Sequence, residues 1–246
     1  MGATARAPIR APTEPELRPN SVTLAPRLAI AASALLGLGL VTFVAARSGI
    51  AGAIAFDSAR EIAAWDTARP PASSQVVAWV EADLERAARL APSDANVAEL
   101  QGRVDLVRTD RPDFADRALA HFERAVMLRP SSPYTWASMA ITRYREGDSG
   151  PAFEAALRRA IELGPAEAEV QATVVDLGLA TWEGLAQTTR QAVEQAATSA
   201  MKRDPREVLQ VAQRRGRLGV VCRHLADAPR RIEPEWLKTC SREATS

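Results

Sequence analysis

Four short phrases decide the fold of this chain: ERAARLAPSDAN at 85–96, ERAVMLRPSSPY at 123–134, RRAIELGPAEAE at 158–169 and TSAMKRDPREVL at 198–209. In each phrase an alanine precedes a proline by five residues. The pairs are Ala87 with Pro92, Ala125 with Pro130, Ala160 with Pro165 and Ala200 with Pro205. The prolines follow one another at intervals of 38, 35 and 40 residues. Self-similarity at such a period is the sequence signature of repeat architectures.

The phrases resemble the end of a unit of the tetratricopeptide repeat family, whose repeats are about 34 residues long. In that family the second helix carries a small residue at the packing crossover and ends before a proline, which cannot continue a helix. The apolar positions upstream agree, because Leu84, Phe122, Leu157 and Ala197 each stand three residues before the alanine. The resemblance covers residues from about 57 to 205, and it implies a solenoid of about four helical hairpins.

The pattern predicts an all-α fold. Helices are expected at 57–68, 74–91, 94–108, 112–128, 132–146, 151–163, 166–183 and 186–202, with a capping helix at 206–215. Alanine, leucine, arginine and glutamate dominate the composition, and these residues favour helix over sheet. Large aromatic side chains bury much area, so we expect Trp65, Trp79, Trp136 and Trp182 to anchor the packing between hairpins.

An uncharged run of 19 residues, LAIAASALLGLGLVTFVAA at 28–46, lies between Arg27 and Arg47. A helix of that length spans roughly 30 Å, which is the thickness of the hydrocarbon core of a bilayer. We therefore predict a single transmembrane helix at 28–46. A cleaved signal peptide is the alternative, since Ala53-Ile54-Ala55 is similar to a cleavage site, but the run exceeds the roughly 7–15 residues of a signal core.

The segment before this run, residues 1–27, contains five prolines and few large apolar groups, so we expect a disordered tail. Its net charge is +2. The positive-inside tendency then places the tail in the cytoplasm and the rest of the chain in the periplasm, with the anchor in the inner membrane of a bacterium.

The C-terminal segment, 206–246, contains the only two cysteines, Cys222 and Cys240. In an oxidising compartment a disulfide between them is the favoured prediction, and two free thiols are the alternative. This end of the chain is also basic, because residues 201–246 have a net charge of +5, against −6 for residues 28–200. Such an end suits an anionic polysaccharide, lipid headgroups or an acidic partner surface, although solvated arginines are the simpler interpretation.

No catalytic, cofactor or metal site is predicted. The two histidines, His121 and His224, belong to no metal or nucleotide motif, and acidic groups such as Glu81-Asp83-Glu85 have the pattern of a solvated helix face. A nucleic-acid partner is not expected either, because the basic end lacks the interleaved aromatic residues that stack on bases. We therefore expect a protein without enzymatic activity.

Two function classes remain. In the first, the repeats are a scaffold that holds a protein partner of an envelope assembly on a concave face lined by the first helix of each hairpin. In the second, the chain is an accessory of exopolysaccharide synthesis or export, to whose anchored components its layout is similar. An assembly chaperone for secretion or cytochrome maturation is a further alternative.

Overall fold

The computed structural model describes residues 24–66, 71, 73–223 and 234–243. These ranges are helical and contain no strand, so the all-α prediction is confirmed. Of the predicted tail at 1–27, residues 1–23 lie outside the described residues.

The helices follow one another with short connections. They are α1 (Leu24–Asp66), α2 (Ser74–Leu90), α3 (Ala95–Asp105), α4 (Phe114–Leu128), α5 (Pro133–Arg145), α6 (Pro151–Leu163), α7 (Ala168–Ala180), α8 (Gln187–Arg203), α9 (Pro205–Arg214), α10 (Leu218–Cys222) and α11 (Pro234–Glu243). A 3₁₀ turn at Trp182–Gly184 separates α7 from α8. The chain divides into two units, one ending at Ala46 and one beginning at Arg47.

Helix α1 has an apolar surface on all sides over residues 28–46, where every described side chain is exposed. The two hydroxyls within residues 28–46 are satisfied in the helix, since Ser33 donates to the carbonyl of Ile30 and Thr42 to that of Leu38. Among the described helices, α1 is the one whose length and composition would allow it to cross a membrane. The separate helix expected from Asp57 does not form, because α1 continues without interruption to Asp66.

A first apolar core lies within the unit that begins at Arg47. It joins the second half of α1 to α2 and α3, and it contains Ala51, Ala55, Ile62, Trp65, Val80, Leu84, Val97 and Leu100. Because Ala51 and Ala55 are already buried there, the packed part of the chain begins before Asp57.

A larger core runs from α4 to α11. Its largest fully buried side chains include Phe122, Phe153, Leu157, Leu179 and Leu209. Two glycines permit close approach of paired helices: a Cβ on Gly102 of α3 would lie 2.6 Å from the ring of Phe122, and one on Gly178 of α7 would lie 2.5 Å from Val193. Contacts this short leave no room for a larger residue, so hairpins α3–α4 and α7–α8 depend on these glycines.

The repeated alanines close the second helices in the same way. The carbonyls of Ala87, Ala125, Ala160 and Ala200 accept the last helical hydrogen bond, at 2.8–2.9 Å, from the residue directly before the proline. The proline that follows has no N–H with which to extend the ladder, so the chain turns there. All four alanines are buried, whereas Pro92, Pro130 and Pro165 are exposed and Pro205 is half-buried.

Two expectations about single side chains were wrong. Trp79 is 56% exposed and does not pack between hairpins, whereas Trp65 is buried and Trp136 and Trp182 are partly buried against the larger core. Glu81 does not lie on a solvated face, because its carboxylate accepts hydrogen bonds from Arg108, Arg111 and Arg117. Helix α11 was not predicted.

Candidate functional site: a groove along the first helices

The groove with the most regular lining lies across α3, α5 and α7, the first helices of three successive hairpins, and encloses about 560 Å³. Its lining repeats along the sequence. Glu99, Tyr134 and Glu169 are spaced 35 residues apart, and so are Arg103, Ser138 and Thr173. Equivalent positions of successive hairpins therefore line up across the groove, as expected for stacked repeats.

Capping residues set where the groove helices begin. Asp94 accepts from the backbone N–H groups of Asn96 and Val97 at the start of α3. Ser132 accepts from the N–H of Thr135 at the start of α5, where Pro133 occupies the first turn. These caps satisfy backbone donors that have no partner within the helix, and so they hold the lining side chains in register.

One end of the groove is acidic and internally bonded. The Oε2 atom of Glu99 accepts from Thr135 Oγ1 at 2.6 Å and from Arg129 Nη2 at 3.0 Å. Nearby, Tyr134 donates its hydroxyl to Glu167 at 2.7 Å. That hydrogen bond to a carboxylate raises the pKa of Tyr134 to about 12, since it stabilises the protonated phenol. The tyrosine thus stays neutral and keeps its donor directed at Glu167.

The other end of the groove is basic. Arg103 and Arg145 line it from α3 and α5, and Arg145 donates to the carbonyl of Leu106 at 3.3 Å. Between the two ends the lining is small or apolar and includes Ala137, Ile141 and Val170. A groove with small residues at its centre and opposite charges at its ends has room for a peptide backbone and groups that would orient it.

The structure also brings together a half-buried histidine and a buried carboxylate. His121 Nε2 lies 3.5 Å from Oδ2 of Asp105, whose Oδ1 accepts from Arg117 at 3.0 Å. Burial raises the pKa of Asp105 despite Arg117, and burial lowers the pKa of His121. The adjoining cavity, about 230 Å³, has no serine, threonine or cysteine among its lining residues.

The described residues contain no cluster of three or more histidine, cysteine or acidic side chains that could hold a metal ion. His224, the second histidine, lies outside the described residues.

Cys222 and Cys240 are joined as a disulfide in the structure, with their Cα atoms 5.4 Å apart. The bond connects α10 to α11, and it places Cys240 and part of Trp236 against the larger core.

Several C-terminal arginines are engaged with the repeats. Arg215 makes two hydrogen bonds to Asp176, at 2.9 and 2.7 Å, Arg217 lies 2.7 Å from Glu183, and Arg223 lies 3.0 Å from Glu194. Some of the positive charge of the C-terminal segment is thus paired with acidic side chains of the preceding helices.

The sequence did not single out the groove residues. The 35-residue spacing of Glu99, Tyr134 and Glu169 is present in it, but the recurring phrases and apolar positions that predicted the repeats lie in the second helices. The first helices carry a weaker signal because their exposed faces vary from one hairpin to the next.

No protein-family model matches the chain, and no curated protein matches it. Among solved structures it is similar to one titled "Crystal structure of MamA protein", with a TM-score of 0.46 and 11% identity. The alignment covers 79% of this chain and 96% of the MamA chain. A similarity of this size does not identify a family.

Proposed function

We propose that this protein is a membrane-anchored scaffold of a bacterial cell envelope, and that it holds an extended segment of a partner protein in the groove of α3, α5 and α7. The observation that carries the proposal is the groove itself, whose lining positions recur every 35 residues on three first helices. Helical repeats form extended binding surfaces of this kind because each hairpin adds one equivalent strip.

The charges of the groove restrict the segment that fits. An acidic side chain is favoured beside Arg145, and a basic one beside Glu169. Opposite charges at the two ends give a bound segment one preferred direction, because the reversed segment would place like charges together.

The proposed topology has residues 28–46 crossing the inner membrane, the N-terminal tail in the cytoplasm and the repeats in the periplasm. A disulfide between Cys222 and Cys240 supports it, since disulfides persist in oxidising compartments and are rare in the cytosol. The exposed apolar surface of α1 over the same residues supports a lipid environment.

The two alternatives differ in what the structure offers them. A polymer-positioning role in exopolysaccharide export would use the basic C-terminal segment, but Arg215, Arg217 and Arg223 are already paired with acidic groups. An assembly chaperone for secretion or cytochrome maturation would use the same groove, and only the identity of the partner separates it from the scaffold.

Crosslinking in intact cells tests the groove. A photoreactive amino acid in place of Ser138, in the groove, should capture a protein, whereas the same group in place of Ala155, exposed on α6, should not. The substitution Thr173→Arg should remove the crosslink by filling the groove. Equal capture from both positions, or no capture from Ser138, would show that the groove is not the binding site.

A further inference from the structure

A small apolar pocket lies between α7 and α9, beside the proposed groove. Its floor consists of buried aliphatic side chains, Val175 of α7 and Val208 and Val211 of α9. Ala168 and Ala172 of α7 form one wall. The pocket encloses about 30 Å³, which is roughly twice the space that one water molecule needs, so it has room for about three non-hydrogen atoms.

The pocket is open because α7 begins with a small residue. In the preceding pair of first helices, α5 begins with Pro133, 35 residues before Ala168. A Cβ on Gly164, the last cap residue of α6, would lie 2.9 Å from Pro133 and 3.0 Å from Val170. Asp204 is the corresponding cap residue of α8, and it lines the pocket. Side chains of α5 and α7 thus fill the position that Ala168 leaves open between α7 and α9.

The pocket and the groove lie on two flanks of the same exposed face of α7. At 3.6 residues per turn, Ala168 and Val175 fall on the side toward α9, whereas Val170 and Thr173 of the groove fall on the side toward α5, and Glu169 lies between them. A helix is about 10 Å across, and an extended chain covers that distance in about three residues. A segment that follows the groove as far as α7 can therefore reach the pocket.

The charges beside the pocket are mainly acidic. Glu169 lies on the groove side and Glu207 on the α9 side, and both side chains are exposed. Neither carboxylate is paired with a basic side chain within the described residues. The arginine of the lining, Arg203, donates to the carbonyl of Ala166 at 3.1 Å. A basic side chain next to the pocket is therefore favoured, and an acidic one is disfavoured.

We propose that the pocket binds one small aliphatic side chain of the partner segment, of the size of valine, and that a basic residue of the same segment lies within about three positions of it, beside Glu169 or Glu207. The inference rests on the proposed function, because the groove brings the segment to the pocket. Binding removes the apolar surface of both the isopropyl group and the pocket floor from water. An aromatic ring is too large for a space of about 30 Å³.

The test selects binders from a displayed library of random peptides of about 12 residues, which span about 40 Å when extended. The target is the full chain in detergent micelles. The selected sequences are expected to contain valine, or a residue of similar size, within about three positions of a lysine or arginine. Replacing that valine by alanine should weaken binding to the parent protein about tenfold, because two methyl groups lose their contact with the pocket.

Two variants of the chain close the pocket, and a third closes the groove. Ala168→Pro introduces the ring that Pro133 supplies in α5, and proline is tolerated at the first position of a helix. Ala172→Val fills the same space from the next turn of α7. In both variants the change from valine to alanine in the peptide should alter the affinity less than about twofold. Thr173→Arg should abolish binding of the selected peptides, and circular dichroism verifies that each variant keeps its helix content.

The outcomes separate the pocket from the groove. If no peptide is selected, or if binding survives Thr173→Arg, the groove is not the binding site and the pocket proposal fails with it. If binding requires the open groove but the selected peptides lack a small aliphatic residue, the pocket proposal alone is wrong. It is also wrong if the valine-to-alanine loss is as large in a correctly folded Ala168→Pro or Ala172→Val variant as in the parent. A loss that disappears in these variants supports both proposals.

Discussion

In the unit that begins at Arg47, the end formed by α2, α3 and α4 and the end formed by α9, α10 and α11 are held together by different interactions. Between α2, α3 and α4, Glu81 accepts hydrogen bonds from Arg108 at 2.9 Å, Arg111 at 2.7 Å and Arg117 at 3.2 Å. At the other end, the disulfide of Cys222 and Cys240 connects α10 to α11, and arginines bridge to acidic groups of the preceding helices.

Burial is what distinguishes the two sets of ion pairs. The side chain of Glu81 is 18% exposed and that of Asp105 is 3% exposed, so neither carboxylate could lose its arginines without remaining partly desolvated. Glu183 at the other end is 71% exposed, and an exposed pair of this kind contributes about 0–1 kcal/mol. The pairs of Glu81 and Asp105 should thus contribute more than the exposed pair of Glu183. Asp176, at 32% exposure, is intermediate, and the C-terminal end has a covalent bond in addition.

The largest effect is expected from the apolar cores, and it should be similar at both ends. Phe122→Ala in α4 and Leu209→Ala in α9 each remove a side chain with no exposed surface. The losses in the free energy of unfolding should be about 3–5 and 2–5 kcal/mol, because each leaves a cavity in close-packed surroundings. Urea denaturation measures both. A loss below about 1 kcal/mol for only one of them would show that packing, and not polar contacts, distinguishes the ends.

Removing the disulfide should affect only the C-terminal end. For Cys222→Ser combined with Cys240→Ser, the expected loss is about 3 kcal/mol, which is the entropy of closing a loop of this length. Hydrogen exchange should increase in α10 and α11 and stay unchanged in α3 and α4. Equal loss of protection in α3 and α4 would mean that the two ends unfold as one cooperative unit.

Glu81→Gln should destabilise the first end by about 2 kcal/mol, because the amide keeps the shape but removes the charge that three arginines share. Glu85→Gln on the same helix is the matched control, since Glu85 is exposed and lies 3.9 Å from Arg89, which is exposed too. It should cost less than about 0.5 kcal/mol. If the two variants unfold at the same urea concentration, burial does not make the ion pairs of Glu81 more stabilising than the exposed pair of Glu85.

The smallest effect is a pH dependence at the first end. Burial, assisted by Arg117 and Arg124, lowers the pKa of His121 below its ordinary 6.5, although Asp105 opposes the shift. The stability gained from keeping His121 neutral is therefore present above pH 6.5 and is lost as the pH falls through the pKa of the folded state. The raised pKa of Asp105 acts in the opposite direction, because stability is lost as the pH rises from its ordinary 3.8 through the pKa of the folded state.

His121→Gln should accordingly make the urea midpoint less dependent on pH between about pH 7.5 and 5.5. The double serine variant, which alters the other end, should retain the full dependence of the parent protein. If the urea midpoint of His121→Gln has the same slope against pH as that of the parent protein, His121 does not cause the pH dependence.

The second helices could be predicted well from the sequence because a local rule decides where they end. The alanine carbonyl, the proline and the N–H of the residue directly before that proline lie within six consecutive residues. Spacing alone therefore predicted the ends of α4, α6 and α8 to within one residue. Glu81 could not be interpreted in this way, because its partners lie 27–36 residues further along the chain. The groove was not predicted for the same reason, because its lining brings together residues that lie 35 positions apart in the sequence.

The ends of α1 and the presence of α11 show a second limit. The change from apolar to polar composition after Ala46 suggested separate helices, but no glycine–proline break interrupts the chain there and α1 continues. Helix α11 is short, and its burial depends on Cys240 reaching α10 through a covalent bond rather than on a long apolar stripe.

The 35-residue spacing of the groove lining makes the hairpin α5–α6 an interchangeable module. Residues 133–167 run from the start of α5 to the residue before α7. A tandem copy of them would therefore return the chain to the same position, with Pro133 again in the first turn of the added helix. An elongated variant should fold with proportionally more helix by circular dichroism, and aggregation instead would contradict this. The length of the proposed groove could then change by whole repeats, through duplication or deletion, while helix α1 and the C-terminal disulfide stay as they are.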